Sequence, residues 1–159
     1  MRQPDLIIGP RHDPQTLRWH IFKWRGWQLS IHKWLRSDSD RALHDHKADN
    51  LSIILNSGYF ETFFHPDADP TRTPVPRSAY PYGYVEKFRW PLVPYFRRAE
   101  TPHRVRLPSA EPVWTIWLRW PAKRRWGYWC AQGWVDADDY NSTADYYADG
   151  VSEVGRGCD

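Results

Sequence analysis

Apolar and polar positions alternate along much of this chain with a period of two, the period of a half-buried strand. The clearest run is Val113 to Trp120. Trp114, Ile116, Leu118 and Trp120 share one face; Val113, Thr115, Trp117 and Arg119 share the other. Trp27 to Leu35 alternates over its first five residues, and His103 to Leu107 alternates throughout. Further strands are predicted at Trp19–Trp24, Tyr84–Trp90, Tyr95–Ala99 and Trp126–Cys130. His44–Asn56 and Tyr59–Phe64 read as two strands joined by the tight turn Asn56-Ser57-Gly58. Ser37 to Asp40 reads as a turn. Residues 1–18 carry Pro4, Gly9, Pro10 and Pro14 and are expected to be an irregular lead-in around the apolar patch Leu6-Ile7-Ile8. Residues 65–82, with five prolines, read as a long loop of the kind that often serves as a lid. The body of the fold is expected over 19–135. An acidic tail follows over 136–159, with one short helix around Asp138–Tyr147 before it frays at Gly150–Asp159. Many short strands with turn signals between them, and no long helix, predict a single all-β domain, a barrel or double-sheet jelly roll.

Composition supports this reading. The 159 residues include 14 Pro against 9 Gly, which favours strands and turns over helices. There are 11 Trp, so flat aromatic side chains supply much of the apolar surface. The net charge of +3 is unevenly spread: seven acids and one arginine from Asp136 onward leave +9 on residues 1–135. A basic body suits anionic partners, although a solvated basic surface partly neutralised by the tail is the simpler reading. Two cysteines, Cys130 and Cys158, make no disulfide framework, and Cys130 is expected to be buried. No apolar run nears the roughly 18 residues of a spanning helix, and no signal-peptide pattern opens the chain. These features together lead us to expect a soluble, cytoplasmic protein in a reducing compartment.

The candidate chemistry centres on Leu43-His44-Asp45-His46. In an extended strand residues i and i+2 face one side, so His44 and His46 present both imidazoles together. Neutral imidazole is a ligand for several divalent metals. The same parity turns Ser52 and Ile54 inward and groups Tyr59, Glu61 and Phe63 on one face of the next strand. Asp45 and Asp40 most simply brace loops. No Ser-His-Asp order, phosphate-binding glycine loop, cysteine metal spacing or nucleic-acid motif stands out.

His44, His46 and Gly58, followed by His103 in Thr101-Pro102-His103-Arg104-Val105, resemble the two motifs of the cupin superfamily. More closely, the chain is similar to cupin-like proteins met in bacteria and phages. The resemblance rests on Leu35 to His46, the hairpin Gly58-Tyr59-Phe60-Glu61, the His-Arg-Val strand and the closing Arg124-Arg125-Trp126-Gly127-Tyr128-Trp129. It covers about residues 19–135. It implies a cupin double-stranded β-helix, a jelly-roll barrel with a divalent metal (Fe, Mn, Zn or Ni) in its mouth, held by His44, His46 and His103. The usual motif glutamate is replaced by Asn50, so the fourth ligand is either Glu61 or Asp49. If the chain is phage-encoded, its compartment is the host cytoplasm. Pairing as a homodimer is expected from the resemblance alone.

On this reading Glu61 and Tyr59 are the candidate catalytic groups. Arg98, Thr115, Trp117 and Arg119 are the candidate ligand-binding groups, lining a cavity for a small, anionic molecule. The pairs Arg97-Arg98 and Lys123-Arg124-Arg125 could also grip phosphate or carboxylate, with a solvated face favoured slightly for the latter. The expected function is a metal-binding cupin that binds or transforms such a molecule, as a dioxygenase-type or metal-assisted enzyme. The alternatives are a non-catalytic binder of a small ligand or nucleotide and a structural, partner-binding domain. Nucleic acid and membrane are not expected partners.

Overall fold

The computed structural model describes residues 2–9, 12–38, 42–68, 83–130, 132–141 and 158. The strands are β1 (Leu6–Ile8), β2 (Thr16–Trp24), β3 (Trp27–Trp34), β4 (Leu43–His44), β5 (Asn50–Ile54) and β6 (Tyr59–Phe64). They continue with β7 (Tyr84–Arg89), β8 (Pro94–Arg97), β9 (Arg104–Arg106), β10 (Val113–Arg119), β11 (Gly127–Cys130) and β12 (Gly133–Asp136). A 3₁₀ turn at Pro66–Ala68 and the short helix α1 (Ala137–Tyr140) complete the described elements.

Every pairing is antiparallel. One sheet has the order β1-β2-β3-β10-β5-β8. Two three-stranded sheets, β12-β11-β4 and β7-β6-β9, meet at a single bridge between His44 and His103. Two backbone hydrogen bonds make that bridge, His44 N–H to His103 O at 3.0 Å and His103 N–H to His44 O at 2.9 Å. The architecture is therefore an all-β double-sheet roll, as the alternation predicts.

The local reasons are legible. The β2–β3 hairpin turns on Arg25 and Gly26, both at positive φ (44° and 86°), the conformation a two-residue hairpin loop needs. The β5–β6 connection ends on Gly58 at φ 79°, where an added Cβ would lie 2.5 Å from the Phe88 ring. On β10 the burial alternates as expected, with Val113, Thr115 and Trp117 buried.

Several expectations are corrected. Leu6–Ile8 is a strand rather than part of an irregular lead-in, because it pairs with the first residues of β2. The strand expected from His44 to Asn56 is broken over residues 45–49, where the chain leaves β4 and enters the other sheet as β5. A further strand, β12, follows Cys130. Cys130 is bonded to Cys158 with 5.4 Å between Cα atoms, so neither cysteine is a free thiol, against the expectation of reduced cysteines. The helix near the C-terminus spans only Ala137–Tyr140 among the described residues. Apart from Cys158, the segment 150–159 expected to fray lies outside the described residues, as do most of the 65–82 loop and Asp40. No helix among the described residues is long and apolar enough to cross a membrane.

Two apolar clusters flank the interior. One gathers Ile54, Tyr59, Val105, Leu107 and Val113, the other Ala42, Tyr128, Cys130, Ala137 and Tyr140. Many other buried positions are polar, among them Gln28, Ser30, His32, Asn50, Ser52, Glu61, Arg97, His103 and Thr115. Buried polar groups cost free energy unless they are partnered. An interior so rich in them reads as a site more than as a core.

Candidate metal centre

His44 ends β4 and His46 follows it by two residues, so the two rings share one side while Asp45 between them points the other way. Asp45 is fully buried. It accepts hydrogen bonds from Gly127 N–H (2.8 Å), Trp134 Nε1 (2.9 Å) and Arg124 Nη1 (2.7 Å). One carboxylate thus clamps the histidine segment to the chain around β11 and β12. The brace role expected for Asp45 is the one it has. Opposite, His46 N–H donates to Ala99 O at 2.8 Å, and the His44–His103 bridge fixes the third histidine.

These restraints bring His44, His46 and His103 together, with one ligand atom from each within 4.8 Å of the others. His46 Nε2 and His103 Nε2 face each other at 3.2 Å. His103 Nδ1 lies 3.1 Å from Thr101 O, so it donates its proton there and leaves the Nε2 lone pair aimed at the cluster. His44 Nδ1 lies 4.0 Å from Asp38 Oδ2, an outer partner of the kind that orients ligand rings. Burial, then His44 and nearby cations, holds the His46 pKa well below its usual 6.5. Burial, then Arg97 and the other rings, does the same to His103. Both rings are therefore neutral at physiological pH, the state that binds metal.

Metal–nitrogen bonds of about 2.1 Å set neighbouring ligand nitrogens roughly 3.0–3.4 Å apart, and the 3.2 Å separation of His46 and His103 falls in that range. The donor set fits a divalent ion of intermediate softness.

Glu61 sits beside this cluster, its Oε1 3.8 Å from His103 Nε2. Its carboxylate is taken up by two arginines, Arg89 Nε at 2.6 Å on Oε2 and Arg97 Nη2 on Oε1. Asp49 is placed elsewhere. It accepts from Ala99 N–H at 2.7 Å and pairs with Lys123 at 2.9 Å, so its carboxylate is engaged away from the histidines. Tyr59 is buried beside Arg97, and burial with the Glu61 charge pushes its phenol up to about 12.

No family model matches the sequence, and no curated protein matches it significantly. Solved structures do match in shape. One is a cupin superfamily protein from Desulfitobacterium hafniense, 13% identical over 67% of this chain and 78% of that one, with TM-score 0.46. A second is a putative mannose-6-phosphate isomerase from Ralstonia eutropha, 14% identical over 72% of this chain and 92% of that one, with TM-score 0.50. A third is Fe(II)-HppE with the alternative substrate (S)-1-HPP, 10% identical over 76% of this chain and 59% of that one, with TM-score 0.52.

The fold is the cupin jelly roll.

Within the cupin barrel the remaining expected residues divide. Thr115 and Trp117 are buried on the inner face of the six-stranded sheet; Thr115 Oγ1 accepts from Trp34 Nε1 at 3.4 Å, and Trp117 packs against His32 with the rings tilted 40° and 5.1 Å between centroids. Arg119 shares that face and donates to Gly26 O at 3.1 Å. Arg98 is exposed. The buried arginine of that pair is Arg97, which also donates to Asn50 Oδ1 at 3.0 Å, because position 97 pairs with Asn50 across β5 and β8 and shares its inward face. The expected basic grip of Lys123, Arg124 and Arg125 is taken up internally: Lys123 pairs with Asp49 and Glu100, Arg124 with Asp45, and Arg125 with Asp136 and Asp138. Asp38 belongs to the centre and is not among the expected site residues; Arg97, expected to grip a phosphate or carboxylate, holds the Glu61 carboxylate. Asp38 stood in a turn segment with no periodicity to place it.

Proposed function

We propose that this cupin holds one divalent metal ion on His44, His46 and His103 and binds or transforms a small anionic molecule in the barrel mouth. The observation that carries the reading is the convergence of three imidazoles, distant in sequence, with ligand atoms within 4.8 Å. An ion of this class, bound there, supplies Lewis-acid or redox chemistry, as Fe, Mn, Zn or Ni each could.

The chain's own residues set the surroundings. Glu61, tied to Arg89 and Arg97, keeps a buried negative charge next to His103. Tyr59, with its pKa pushed up to about 12, stays protonated and can donate a hydrogen bond but not act as a base at neutral pH. Thr115 and Trp117 supply a mixed polar and aromatic wall for an organic ligand. The locked state of Glu61 and the protonated state of Tyr59 favour a second reading, a non-catalytic binder of a small ligand such as a nucleotide.

The test is metal content per chain after purification, for the parent and for His44→Ala with His103→Ala. Near-stoichiometric metal in the parent and its loss in the double variant is the expected result. A metal-free parent with an intact fold refutes the metal reading and shifts weight to the binder. A thermal-shift screen against organic acids, sugars and nucleotides then separates binder from enzyme by turnover of whichever molecule binds.

A further inference from the structure

The arginines of this protein are mostly matched by acids: Arg2 by Asp5, Arg36 by Asp13, Arg89 and Arg97 by Glu61, Arg106 by Glu86, Arg124 by Asp45 and Arg125 by Asp136. Among the described arginines outside these pairs, Arg18 and Arg119 stand out because their Nε groups are buried. Neither pairs with a carboxylate among the described residues, and the Nε of each is shut off from solvent with no hydrogen-bond partner. Arg18 lies over the Trp117 ring, 4.8 Å from its centroid, on the inner face of the six-stranded sheet. Arg119 reaches that face from β10, opposite Gln28 of β3, and lines a hollow of about 360 Å³ with Lys23, Trp27 and Gln28.

On the same face of the sheet Gln28 Nε2, Ser30 Oγ and His20 Nδ1 lie within 2.9–3.1 Å of one another, and of these Gln28 lines the hollow. The charges around it are of one sign. Burial, then Arg119, lowers the Arg18 pKa to about 10. Burial, then Lys23, Arg18 and Arg119, lowers His20, with only Asp5 acting against them. Arg18 also bears electrostatically on His32 and on His46 of the metal centre. Two half-buried guanidiniums without a counter-charge are costly in a folded protein, and a cost of that kind is retained most readily where a ligand relieves it.

We infer that Arg18 and Arg119, with Gln28 and Ser30, form an oxyanion-binding subsite on the inner face of the barrel, which takes the carboxylate or phosphate head of a small molecule whose remainder extends toward His46. Guanidinium forks match both groups bidentately, and the Ser30 hydroxyl, held by Gln28 Nε2 at 2.9 Å, adds a neutral donor. The inference deepens the proposed function by naming the group that the anionic ligand presents, and it rests on that reading only for the direction of the ligand's other end.

The test is thermal shift and calorimetry on the full chain with inorganic phosphate and with malonate, at constant ionic strength set by chloride. Either probe is expected to raise the melting temperature saturably, and Arg18→Met and Arg119→Met are each expected to weaken that binding at least tenfold. Without a probe, Arg18→Met is expected to melt at or above the parent temperature, since it removes an uncompensated charge; a purely structural arginine would give the opposite. Phosphate preferred over malonate identifies a phosphorylated ligand, the reverse a carboxylic acid. No shift with either probe, an undiminished shift in both variants, or a marked fall in the melting temperature of Arg18→Met overturns the inference. The same titration on His44→Ala with His103→Ala keeps the two claims apart. Anion binding that survives in that variant supports the subsite whatever the metal result, and a metal-loaded parent blind to both anions leaves the metal reading standing without it.

Discussion

Asn50 Oδ1 accepts a hydrogen bond from Arg97 Nη1 at 3.0 Å, and this bond begins a buried relay from β5 to the metal centre. Arg97 in turn meets Glu61, and Glu61 lies beside His103. The residue standing where the cupin motif usually has glutamate thus positions an arginine, and the carboxylate arrives from β6 instead. Burial alone would lower the Arg97 pKa, but Glu61 and Tyr59 raise it overall, so the guanidinium is firmly charged. Replacing Asn50 by Ala removes one acceptor from a buried cation and is expected to cost about 1–3 kcal/mol. Arg97→Met leaves Glu61 with Arg89 alone and is expected to cost about 3–5 kcal/mol. Urea unfolding of both variants measures this; an Asn50→Ala midpoint equal to that of the parent would show that the relay does not hold the centre.

Asp45 offers a sharper case, since it is one buried carboxylate with three donors. Asp45→Ala strands the Arg124 charge and the Gly127 and Trp134 N–H groups, and about 3 kcal/mol or more of stability should be lost. Metal content should fall with it, because His44 and His46 flank the lost anchor. Parallel chemical unfolding and metal analysis check both; full metal loading in a destabilised Asp45→Ala would separate the brace from the site.

Acid should weaken the metal-free protein in a defined window. His32 and His103 are buried and His46 is half-buried, and desolvation is the first cause that holds each well below the usual 6.5. As pH falls through 6.5 the unfolded chain takes up protons on these rings and the folded chain does not. Stability therefore drops below that pH by up to about 1.4 kcal/mol per pH unit per ring. Asp38 acts the other way. Burial raises its carboxyl from 3.8 to about 6, so the folded chain takes up that proton first and offsets about one ring between pH 6 and 3.8. Melting temperatures recorded with chelator should decline from pH 7 to pH 5, and a flat profile over that range would contradict the neutral, buried state of the rings.

The Cys130–Cys158 bond closes a loop with a sequence separation of 28 residues, which corresponds to about 3.5 kcal/mol of chain entropy in the unfolded state. Thiol titration of the denatured, unreduced protein should find no free thiol, and Cys158→Ser should lower stability by a similar amount. Two free thiols per chain in that assay would contradict the pairing.

Gly58 stands at φ 79°, with the Phe88 ring and the Arg89 carbonyl against the place a Cβ would occupy. Gly58→Ala is expected to cost more than the roughly 1–2 kcal/mol of the backbone strain alone, measured by urea unfolding.

The strands and the His44/His46 pair are legible because both obey the period of two, whereas His103 is reached only through the resemblance to the cupin motifs. His44 and His46 share a face by spacing, and Val113, Thr115 and Trp117 alternate with clearly apolar neighbours. The signal failed where alternation was absent. In Tyr95-Phe96-Arg97-Arg98 apolar and basic residues come in adjacent pairs, so nothing in the sequence said which arginine faced in; the register with Asn50 decides it. Arg18 was obscured because the prolines upstream suggested an irregular lead-in, whereas β2 begins at Thr16 and β1 pairs with it. A count of two cysteines argues against a disulfide framework, yet Cys130 and Cys158 are bonded to each other across 28 residues of sequence.

The wall that carries the centre is sewn from two small sheets at one stitch, the reciprocal amide bonds of residues 44 and 103. The same two residues carry rings that would grip an ion, so filling the centre also fastens the seam. Amide hydrogens at those two positions should exchange slowly in the loaded protein and quickly once a chelator strips it, which makes the backbone itself a gauge of occupancy.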